Sequence, residues 1–251
     1  MKRLDGKAIA VTGAAGGIGS IVAGLLRREG ATVVGVDRAT CPECDQWIEA
    51  DLSSEAGIAA TSDRLSALDL DILVNLAGVQ YFGPFEGQSE HGLWTGYVVN
   101  LLAPALLVRA VLPGMIARGR GSIVNIGSVL GSIPFAHFAA YSSAKSGLKA
   151  LSDALRRELA GTGVQVTHIS PRAVRTPLAT AKILEFAAAT GMRMDEPDIV
   201  AGRIVKAIRQ EAREVVIGVP ERLFIGVNAV APRVVDHALA AQNRKAAALF
   251  R

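Results

Sequence analysis

The chain has 251 residues, of which half are hydrophobic and a fifth are charged. A chain of this size can bury one large core and needs neither metal ions nor disulfides to hold it together, so we expect a single domain. The formal net charge is +4, but residues 221–251 hold five basic and two acidic side chains and so carry +3 of it. The rest is nearly neutral, which argues against a nucleic-acid-binding surface across the fold.

Targeting and metal-binding signals are weak along the whole sequence. The first apolar run, residues 8–12, lacks the length of a signal peptide. Later apolar stretches meet a charge or a proline before the roughly 18 residues of a membrane-spanning helix, and the nearest approach is residues 223–231. Cys41 and Cys44 form one pair without a second pair or a nearby histidine, so we expect loop thiols and no metal site. These features predict a cytoplasmic protein.

Apolar runs rich in valine and isoleucine alternate with longer segments of helical period. This alternation predicts an α/β fold with a doubly wound, seven-stranded parallel sheet. The predicted strands are residues 8–12, 32–37, 47–50, 72–75, 122–128, 164–170 and 214–217. Because ligands of such sheets bind beyond the carboxyl ends of the strands, the residues that follow each strand are the first candidates for a site.

The first predicted strand runs into a glycine-rich turn, Thr12-Gly13-Ala14-Ala15-Gly16-Gly17-Ile18-Gly19, that opens directly into a helix. Missing side chains keep such a turn tight and let a phosphate approach backbone N–H groups at the helix N-terminus. A turn that merely needs glycine would look similar, but the strand–helix–strand context favours a dinucleotide site. The turn contributes these candidate contacts: Gly13, Ala15, Gly17, Ile18 and Gly19.

The second and third predicted strands each end near an aspartate. Asp37 can accept hydrogen bonds from both ribose hydroxyls of an adenosine and would repel a 2′-phosphate, which favours NAD over NADP. Arg38 follows directly and could bind that phosphate instead, although Gly16 adds no basic side chain in the turn. Asp51, followed by Leu52, is placed to reach the adenine edge; a helix N-cap or a turn residue is an equally good interpretation of Asp51.

Residues 5–220 resemble the short-chain dehydrogenase/reductase family. The resemblance lies in the glycine-rich turn and in Asn75-Leu76-Ala77-Gly78, where leucine replaces the second asparagine of the family's segment. It also lies in four residues that match the family's catalytic positions: Asn100, Ser128, Tyr141 and Lys145. The resemblance implies an NAD(P)-dependent oxidoreductase acting on an alcohol or ketone, with Asn75, Ala77 and Gly78 at the cofactor. Because all four positions are filled, a non-catalytic nucleotide sensor is a less favoured alternative.

The segment after the sixth strand departs from the family pattern. The family usually has Pro-Gly, whereas this chain has Pro171 followed by Arg172. We expect Arg172 to alter the local geometry or to add a substrate or cofactor contact. By resemblance, Pro171 lies at the cofactor, Val174 supplies a backbone contact and Thr176 contacts the carboxamide.

The chemistry of the four catalytic candidates is consistent with proton transfer. Tyr141 and Lys145 are four residues apart on a predicted helix and share one face, as in an ordinary amphipathic helix. A phenol has a pKa of about 10, and a nearby cation favours its ionised form, so Lys145 and an oxidised nicotinamide would tune Tyr141 as general acid/base. Ser128 can hydrogen-bond the substrate oxygen or be a turn serine. Asn100 lies in an apolar helix, where its side-chain amide needs hydrogen-bond partners. By resemblance, it holds a water that passes protons to Lys145.

The segments expected to line the substrate pocket are mostly apolar. They contain Phe82, Phe85, Val129, Leu130, Ile133, Phe135, Phe138, Leu178, Ile183 and Phe186, with Gln80, Ser132 and His137 as polar exceptions. This composition favours an apolar secondary alcohol or ketone over a free sugar, although many of these residues could simply be core. A 3-oxoacyl thioester of an acyl carrier protein or coenzyme A is the alternative substrate, since Arg172 and Arg175 would supply a basic rim.

Two further segments extend the predicted sheet-and-helix repeat. Residues 177–197 are helical in composition and can form a lid, and residues 221–251 form a helical extension of the catalytic region 1–220, interrupted by Pro232. The extension carries an apolar stripe: Val234, Val235, Leu239, Ala246 and Leu249. With its positive charge, the stripe favours docking on a neighbouring subunit over an anionic membrane surface. The family resemblance implies a homodimer or homotetramer that uses helices near 101–118 and 140–160.

Overall fold

The computed structural model describes residues 3–250. Seven strands form one parallel sheet in the order β3-β2-β1-β4-β5-β6-β7. Their bounds are β1 Ala8–Thr12, β2 Thr32–Asp37, β3 Gln46–Glu49, β4 Ile72–Asn75, β5 Gly121–Ile126, β6 Val164–Pro171 and β7 Glu214–Ile217. The predicted doubly wound sheet is confirmed, and its chain order reverses between β1 and β4. A crevice at the carboxyl ends of these two strands is the expected ligand site of such a sheet.

Helices cover both faces of the sheet. Their bounds are α1 Gly19–Arg28, α2 Glu55–Ser66, α3 Glu90–Tyr97, α4 Ala103–Ala117, α5 Ala139–Glu158, α6 Ala181–Thr190, α7 Pro197–Arg209, α8 Val219–Val230 and α9 Pro232–Ala248. A π-helical turn, Val98–Leu102, joins α3 to α4, and short 3₁₀ turns lie at Phe85–Gly87 and Val129–Gly131. β5 ends two residues earlier than predicted, so Gly127 and Ser128 lie just beyond the strand.

The sheet separates two apolar layers because side chains alternate along each strand. In β1, Ile9 and Val11 are buried against a layer that also contains residues of α1 and α7. Ala10 faces the opposite layer, which contains residues of α2 and α4. Both faces of the sheet are therefore covered, and the carboxyl edge remains the accessible place for a ligand.

One continuous helix, Glu90–Ala117, is long and apolar enough to cross a membrane by length and composition. The sequence analysis missed it because the apolar positions are interrupted locally. Leu107, Val111 and Met115 are buried in the layer that also holds β-strand residues. This burial assigns the apolar face of the helix to the protein core.

The C-terminal extension consists of two helices, which confirms a helical region after the last strand. Pro232 stands at the first position of α9 and separates it from α8, as expected of a residue that favours helix starts. Of the predicted stripe, Val235 and Ala246 are buried, and Leu239 and Leu249 pack against buried clusters of the same chain. Val234 is 59% exposed, so its assignment to the stripe was wrong: it faces away from the body.

Candidate active site

A cavity of about 1150 Å³ opens at the carboxyl edge of the sheet. Most of the predicted site residues line it, namely Gly13, Ala15, Gly17, Ile18, Asp37, Arg38, Asp51, Leu52, Ala77, Gly78, Ser128, Tyr141, Lys145, Pro171, Arg172, Val174 and Thr176. Gly19, Asn75 and Asn100 lie behind this lining. The structure therefore brings together, around one space, residues that the sequence separates by more than 160 positions.

The glycine-rich turn is shaped by backbone contacts that leave no room for side chains. Gly13 has φ +69°, and a Cβ there would stand 2.7 Å from Cα of Ala77. A Cβ on Gly19 would collide with the carbonyl of Gly13. The hydroxyl of Thr12 accepts hydrogen bonds from N–H of Leu76 at 3.0 Å and of Ala77 at 3.1 Å. These two bonds hold the ends of β1 and β4 together. Gly19 lies behind the cavity lining and shapes the turn because a side chain there would displace the carbonyl of Gly13.

Asp37 is held at the edge of this turn. Its carboxylate accepts hydrogen bonds from N–H of Ala15 at 3.0 Å and of Ala39 at 3.2 Å. Arg38 is exposed on the cavity side and forms no ion pair within the part of the chain that the structure describes. The structure therefore presents both groups that bear on cofactor choice, a fixed carboxylate and an uncommitted guanidinium.

Asp51 is a turn residue that also lines the cavity. Its carboxylate accepts hydrogen bonds from the backbone N–H of Ser53 at 2.9 Å and from the Ser53 hydroxyl at 2.7 Å. These bonds lower the pKa of Asp51, the backbone bond most. The helix N-cap is the neighbouring Ser54, whose hydroxyl accepts from N–H of Gly57. Of the interpretations given above, the turn residue describes the observed contacts.

A dinucleotide fits this part of the cavity. The turn keeps Gly13 and Gly17 free of side chains where a phosphate would approach, and it leads directly into the N-terminus of α1. The Gly17 position also packs closely on Thr176 and Pro177, since a Cβ would lie 3.1–3.2 Å from them. The same glycines thus accommodate both the cofactor and the segment that follows β6.

Cys41 and Cys44 lie beneath this turn, in the loop between β2 and β3. Their sulfur atoms are 2.8 Å apart, and Sγ of Cys41 donates a weak hydrogen bond to the carbonyl of Ala14 at 3.2 Å. Burial, followed by the neighbouring Cys41, raises the pKa of the Cys44 thiol well above its usual range. Cys41 is buried, so the two residues are packing groups as much as loop thiols.

Tyr141 and Lys145 occupy one face of α5, as predicted. The ammonium of Lys145 lies 5.8 Å from the centroid of the Tyr141 ring and donates a hydrogen bond to the carbonyl of Ile126 at 2.9 Å. Burial lowers the pKa of Lys145 to about 8. Burial also raises the pKa of Tyr141 to about 12, while a hydrogen bond with Ser128 acts in the opposite direction. In this structure desolvation outweighs the Ser128 hydrogen bond, contrary to the expected lowering of the Tyr141 pKa.

Ser128 is a turn serine, and its predicted contact with the substrate oxygen stays a prediction. Its hydroxyl accepts a hydrogen bond from N–H of Leu130 at 3.1 Å, which starts the 3₁₀ turn after β5. Ser128 and Tyr141 both line the cavity, and the Ser128 hydroxyl acts to lower the pKa of the Tyr141 phenol. Ser128 therefore shapes the turn and stands next to the group proposed to move the proton.

Asn100 lies in the π-helical turn and is only 1% exposed. Its amide nitrogen donates to the carbonyls of Val79 at 2.7 Å and Gly96 at 2.8 Å, which satisfies the amide within the helix. A Cβ on Gly78 would stand 3.0 Å from Oδ1 of Asn100 and 3.7 Å from Nζ of Lys145. These two polar atoms thus face the same small gap beside Gly78. π-Helical turns are frequent at functional sites.

A buried row of polar side chains below the cavity escaped the sequence analysis. Asn75 donates to Asn125 at 2.8 Å, Asn125 donates to the Ser152 hydroxyl at 2.9 Å, and that hydroxyl is 3.2 Å from Nδ1 of His168. The predicted cofactor contact of Asn75 stays a prediction: its amide nitrogen bonds across the sheet, and its buried amide oxygen has no partner within residues 3–250. A Cβ on Gly127 would collide with the His168 ring, which supports the backbone next to Ser128. The presence of polar residues within apolar strands could have predicted this row, because a buried polar side chain needs a hydrogen-bond partner.

Comparison with known proteins decides the family. The model of the family described as short chain dehydrogenase matches residues 7–185. Ketoacyl reductase HetN from Nostoc sp. (strain PCC 7120) is 33% identical, over 94% of this chain and 89% of the relative. This protein belongs to the short-chain dehydrogenase family. It is accordingly an oxidoreductase that acts on hydroxyl or keto groups.

Solved structures of other short-chain dehydrogenases share the fold. One from Sphingobium yanoikuyae in complex with NADPH has a TM-score of 0.76 and 27% identity, covering 92% of this chain and 96% of that one. A 4-hydroxyisoleucine dehydrogenase complexed with NADH has a TM-score of 0.75 and 26% identity, covering 84% and 96%. A bulky-bulky ketone specific alcohol dehydrogenase from Comamonas testosteroni has a TM-score of 0.74 and 26% identity, covering 94% and 92%. A nicotinamide cofactor is therefore supported for this short-chain dehydrogenase.

The arginine that replaces the family's glycine is engaged in ion pairs. Arg172 contacts the carboxylate of Asp195 at 2.6 and 3.0 Å and that of Glu221 at 3.5 Å. Its pKa is raised, mostly by the hydrogen bond with Asp195. Arg175 pairs with Glu196 at 3.3 Å. In this short-chain dehydrogenase Arg172 thus joins the segment after β6 to the end of the lid segment and to α8, and both arginines of the expected basic rim are neutralised.

The far end of the cavity is the expected apolar pocket, with corrections. The lining contains Val129, Leu130, Phe135, Phe138, Leu178, Ile183 and Phe186, together with Gln80. Phe85 is 56% exposed, and Phe82 and Ile133 are buried in side-chain clusters, so these three do not line the pocket. Ser132 and His137 also lie outside the lining, since the Ser132 carbonyl bonds to Asn228 and the His137 ring contacts Phe250. Part of the predicted apolar wall is core, as considered above.

Proposed function

We propose that this short-chain dehydrogenase is NAD-dependent and interconverts an apolar secondary alcohol and its ketone, with Tyr141 as general acid/base. One observation carries the proposal. Tyr141 and Ser128 stand where the glycine-lined part of the cavity meets its apolar part. A carbonyl carbon held at this junction would face the nicotinamide on one side and the phenol on the other.

The residues of the chain divide the chemistry among them. Hydride transfer is what a nicotinamide cofactor supplies when it is bound. Ser128 positions the substrate oxygen, and Tyr141 exchanges a proton with it, a step that contributes roughly 10²–10⁴-fold in enzymes. Lys145 stabilises negative charge on the phenol. Asn100 and Lys145 share the gap beside Gly78, which is the place for a proton relay behind Tyr141.

The choice of NAD is supported by the fixed carboxylate of Asp37. Its bonds to N–H of Ala15 in the turn and to N–H of Ala39 hold it at the end of β2, where a 2′-phosphate would be repelled. Arg38 supports the alternative, because its unpaired guanidinium could bind that phosphate. Short-chain dehydrogenases in complex with NADPH and with NADH share this fold. The cofactor preference of this protein is therefore determined by assay.

Reduction of a 3-oxoacyl thioester is the second candidate function. The similarity to a ketoacyl reductase over nearly the whole chain favours it. The ion pairs of Arg172 and Arg175 weigh against it, because these side chains are committed to carboxylates of the same chain.

A turnover screen tests the proposal. The protein is assayed with NAD and NADP in parallel over secondary alcohols, and in reverse with ketones and 3-oxoacyl thioesters. We expect turnover of apolar alcohols with NAD. Exclusive turnover of thioesters would replace the proposal by the second candidate, and the absence of turnover by a protein shown to bind the cofactor would contradict both.

We further propose that the protein is a homo-oligomer in the cytoplasm and that α4 and α5 form its main interface. Leu102, in the π-helical turn, is 45% exposed, and Ile116, in α4, is 43% exposed. Exposed large apolar side chains are available for contacts between subunits. Light scattering after gel filtration measures the mass; a monomer at micromolar concentration would contradict this proposal.

A further inference from the structure

Helix α9 is fastened to the lid helix α6. Ala246 is completely buried in a cluster with Ile183 and Phe186 of α6. The ammonium of Lys245, on α9, donates to the carbonyl of Ala189 at 2.7 Å. This carbonyl lies in the last turn of α6, where carbonyls lack partners within the helix and attract cations. The position of the lid helix therefore depends on α9.

Phe250, just beyond α9, joins three segments of the lid region. Its ring centroid lies 5.1 Å from that of Phe82 and 5.3 Å from that of His137. The ammonium of Lys182, in α6, lies 4.5 Å from the centroid of the Phe250 ring. Such ring and cation contacts are favourable in addition to area burial. Phe250 thus holds together the loop after β4, the loop before α5 and the lid helix.

Gln242 is the residue by which α9 reaches the cavity. It is part of the cavity lining and is only partly exposed. Its amide has no hydrogen-bond partner within residues 3–250. Two other polar residues of the lining are already engaged: Gln80 donates to the carbonyl of Leu178, and the Thr190 hydroxyl donates to the carbonyl of Phe186. Gln242 is therefore free to bind a substrate group.

The inference rests on the proposed function and deepens it. We propose that α9 forms a wall of the substrate pocket and that Gln242 determines specificity by hydrogen-bonding a polar group remote from the reacting carbonyl. The substrate class is then a ketone or secondary alcohol with an apolar body and a distal uncharged hydrogen-bonding group. A pocket that offers an amide in apolar surroundings disfavours the analogue that leaves it unpaired.

The first test compares two ketones of equal ring size, a cyclic ketone and its analogue with a hydroxyl on the far side of the ring. We expect the wild-type protein to favour the hydroxylated ketone about tenfold in kcat/KM, equivalent to about 1.4 kcal/mol. Gln242→Leu should remove this preference by raising KM for the hydroxylated ketone about tenfold. Gln210→Leu, at an exposed residue after α7 and outside the cavity lining, is the matched control.

Calorimetric binding of the same two ketones to the protein loaded with cofactor provides a readout without turnover. Equal affinities for the two ketones, or a preference that persists in Gln242→Leu, would overturn the role of Gln242. An inactive protein that still binds the hydroxylated ketone through Gln242 would contradict the proposed function and leave this inference standing.

The second test removes the aromatic contact that fixes the wall. In Phe250→Ala we expect KM for both ketones to rise about fivefold or more, while the Kd of the cofactor stays unchanged, because the contacts of Phe250 lie at the lid. Phe224→Ala, at a partly exposed residue of α8, is the control. A rise in cofactor Kd equal to the rise in KM would show general loosening of the fold and would overturn the assignment of Phe250 as a positioning residue.

Discussion

The two halves of the cavity are built in different ways. The half around the glycine-rich turn is made of backbone at the ends of β1, β2 and β4, and its shape follows from missing side chains. The half around the lid is made of side chains from α5, α6 and α9, which meet only after the chain has folded. The first half carries the family's sequence pattern, whereas the second carries no pattern that the sequence analysis recognised.

The cofactor half of the cavity can therefore be recognised from the sequence, whereas the lid half becomes visible only in the structure. Where neighbouring backbone leaves no room for a Cβ, only glycine fits, so the sequence itself shows the position. An apolar side chain of the lid fits equally well in a core or in a pocket wall. Substitutions can test separately the proton transfer, the buried polar side chains below the cavity and the recognition of the cofactor.

The largest effect is expected at the junction of the halves. Tyr141→Phe removes the proton-transferring hydroxyl and should lower kcat by roughly 10²–10⁴-fold. The Kd of the cofactor should stay within about twofold, since the turn is untouched. Tyr97→Phe is the control, because the Tyr97 hydroxyl bonds to Ser143 outside the cavity lining. Steady-state kinetics with cofactor titration measure both effects, and near-normal kcat in Tyr141→Phe would disprove the role of the phenol.

The buried row of polar side chains below the cavity contains His168, and this residue should make the stability of the protein sensitive to acid. Burial lowers the pKa of His168 to about 4. Between this value and the unfolded pKa of about 6.5, the unfolded chain binds a proton that the native state does not. The free energy of unfolding should therefore fall by about 3 kcal/mol from this residue as the pH is lowered through that interval.

Urea unfolding between pH 7 and pH 4 measures this linkage. His168→Gln should show a shallower dependence on pH than the wild-type protein. His91→Gln, at an exposed histidine of α3, should leave the dependence unchanged. If His168→Gln and the wild-type protein lose stability in parallel, His168 is not the source of the acid sensitivity.

The backbone half can be tested with two glycines of equal conformation. Gly13 and Gly6 both have φ +69°. A Cβ would meet Ala77 at Gly13, whereas at Gly6 it would meet nothing within 4 Å among residues 3–250. Gly6→Ala should cost about 1 kcal/mol of unfolding free energy from backbone strain alone. Gly13→Ala should cost about 2 kcal/mol more and weaken cofactor binding at least tenfold, because β1 and β4 must separate. Equal losses in the two variants would contradict the close approach.

The smallest effect is expected for cofactor choice. Asp37→Ser removes the carboxylate and its repulsion of a 2′-phosphate, so the ratio of kcat/KM for NAD to that for NADP should fall about tenfold, or about 1.4 kcal/mol. Glu49→Ser, at an exposed residue that ends the adjacent strand β3, is the control. A ratio unchanged by Asp37→Ser would transfer the decision to Arg38.

The fold and the turn could be predicted because local patterns specify them. All seven strands were found from their apolar runs. Tyr141 and Lys145 were recognised through the family resemblance, and their four-residue spacing placed them on one helix face. The errors share a physical cause, which is that side-chain partners at long range are not visible in one sequence. Asn75 was placed at the cofactor by resemblance, and its hydrogen bond to Asn125, fifty residues away, was not predicted.

The same reason explains the lid half. Arg172 was recognised as unusual, but its carboxylate partners Asp195 and Glu221 come from separate segments. Gln242 carried no signal at all, since a glutamine on a helix is ordinarily a solvated residue. The correct placement of such groups requires the packing of α9 on α6.

The π-helical turn at Val98–Leu102 has a consequence for how this region tolerates length changes. The turn contains one residue more than an α-helical turn would, and an α-helix advances by about 100° for each residue. Loss of a single residue from the turn would leave a regular α-helical turn and keep α3 and α4 in phase. Loss of a residue from within α3 or α4 would instead rotate everything on one side by that angle.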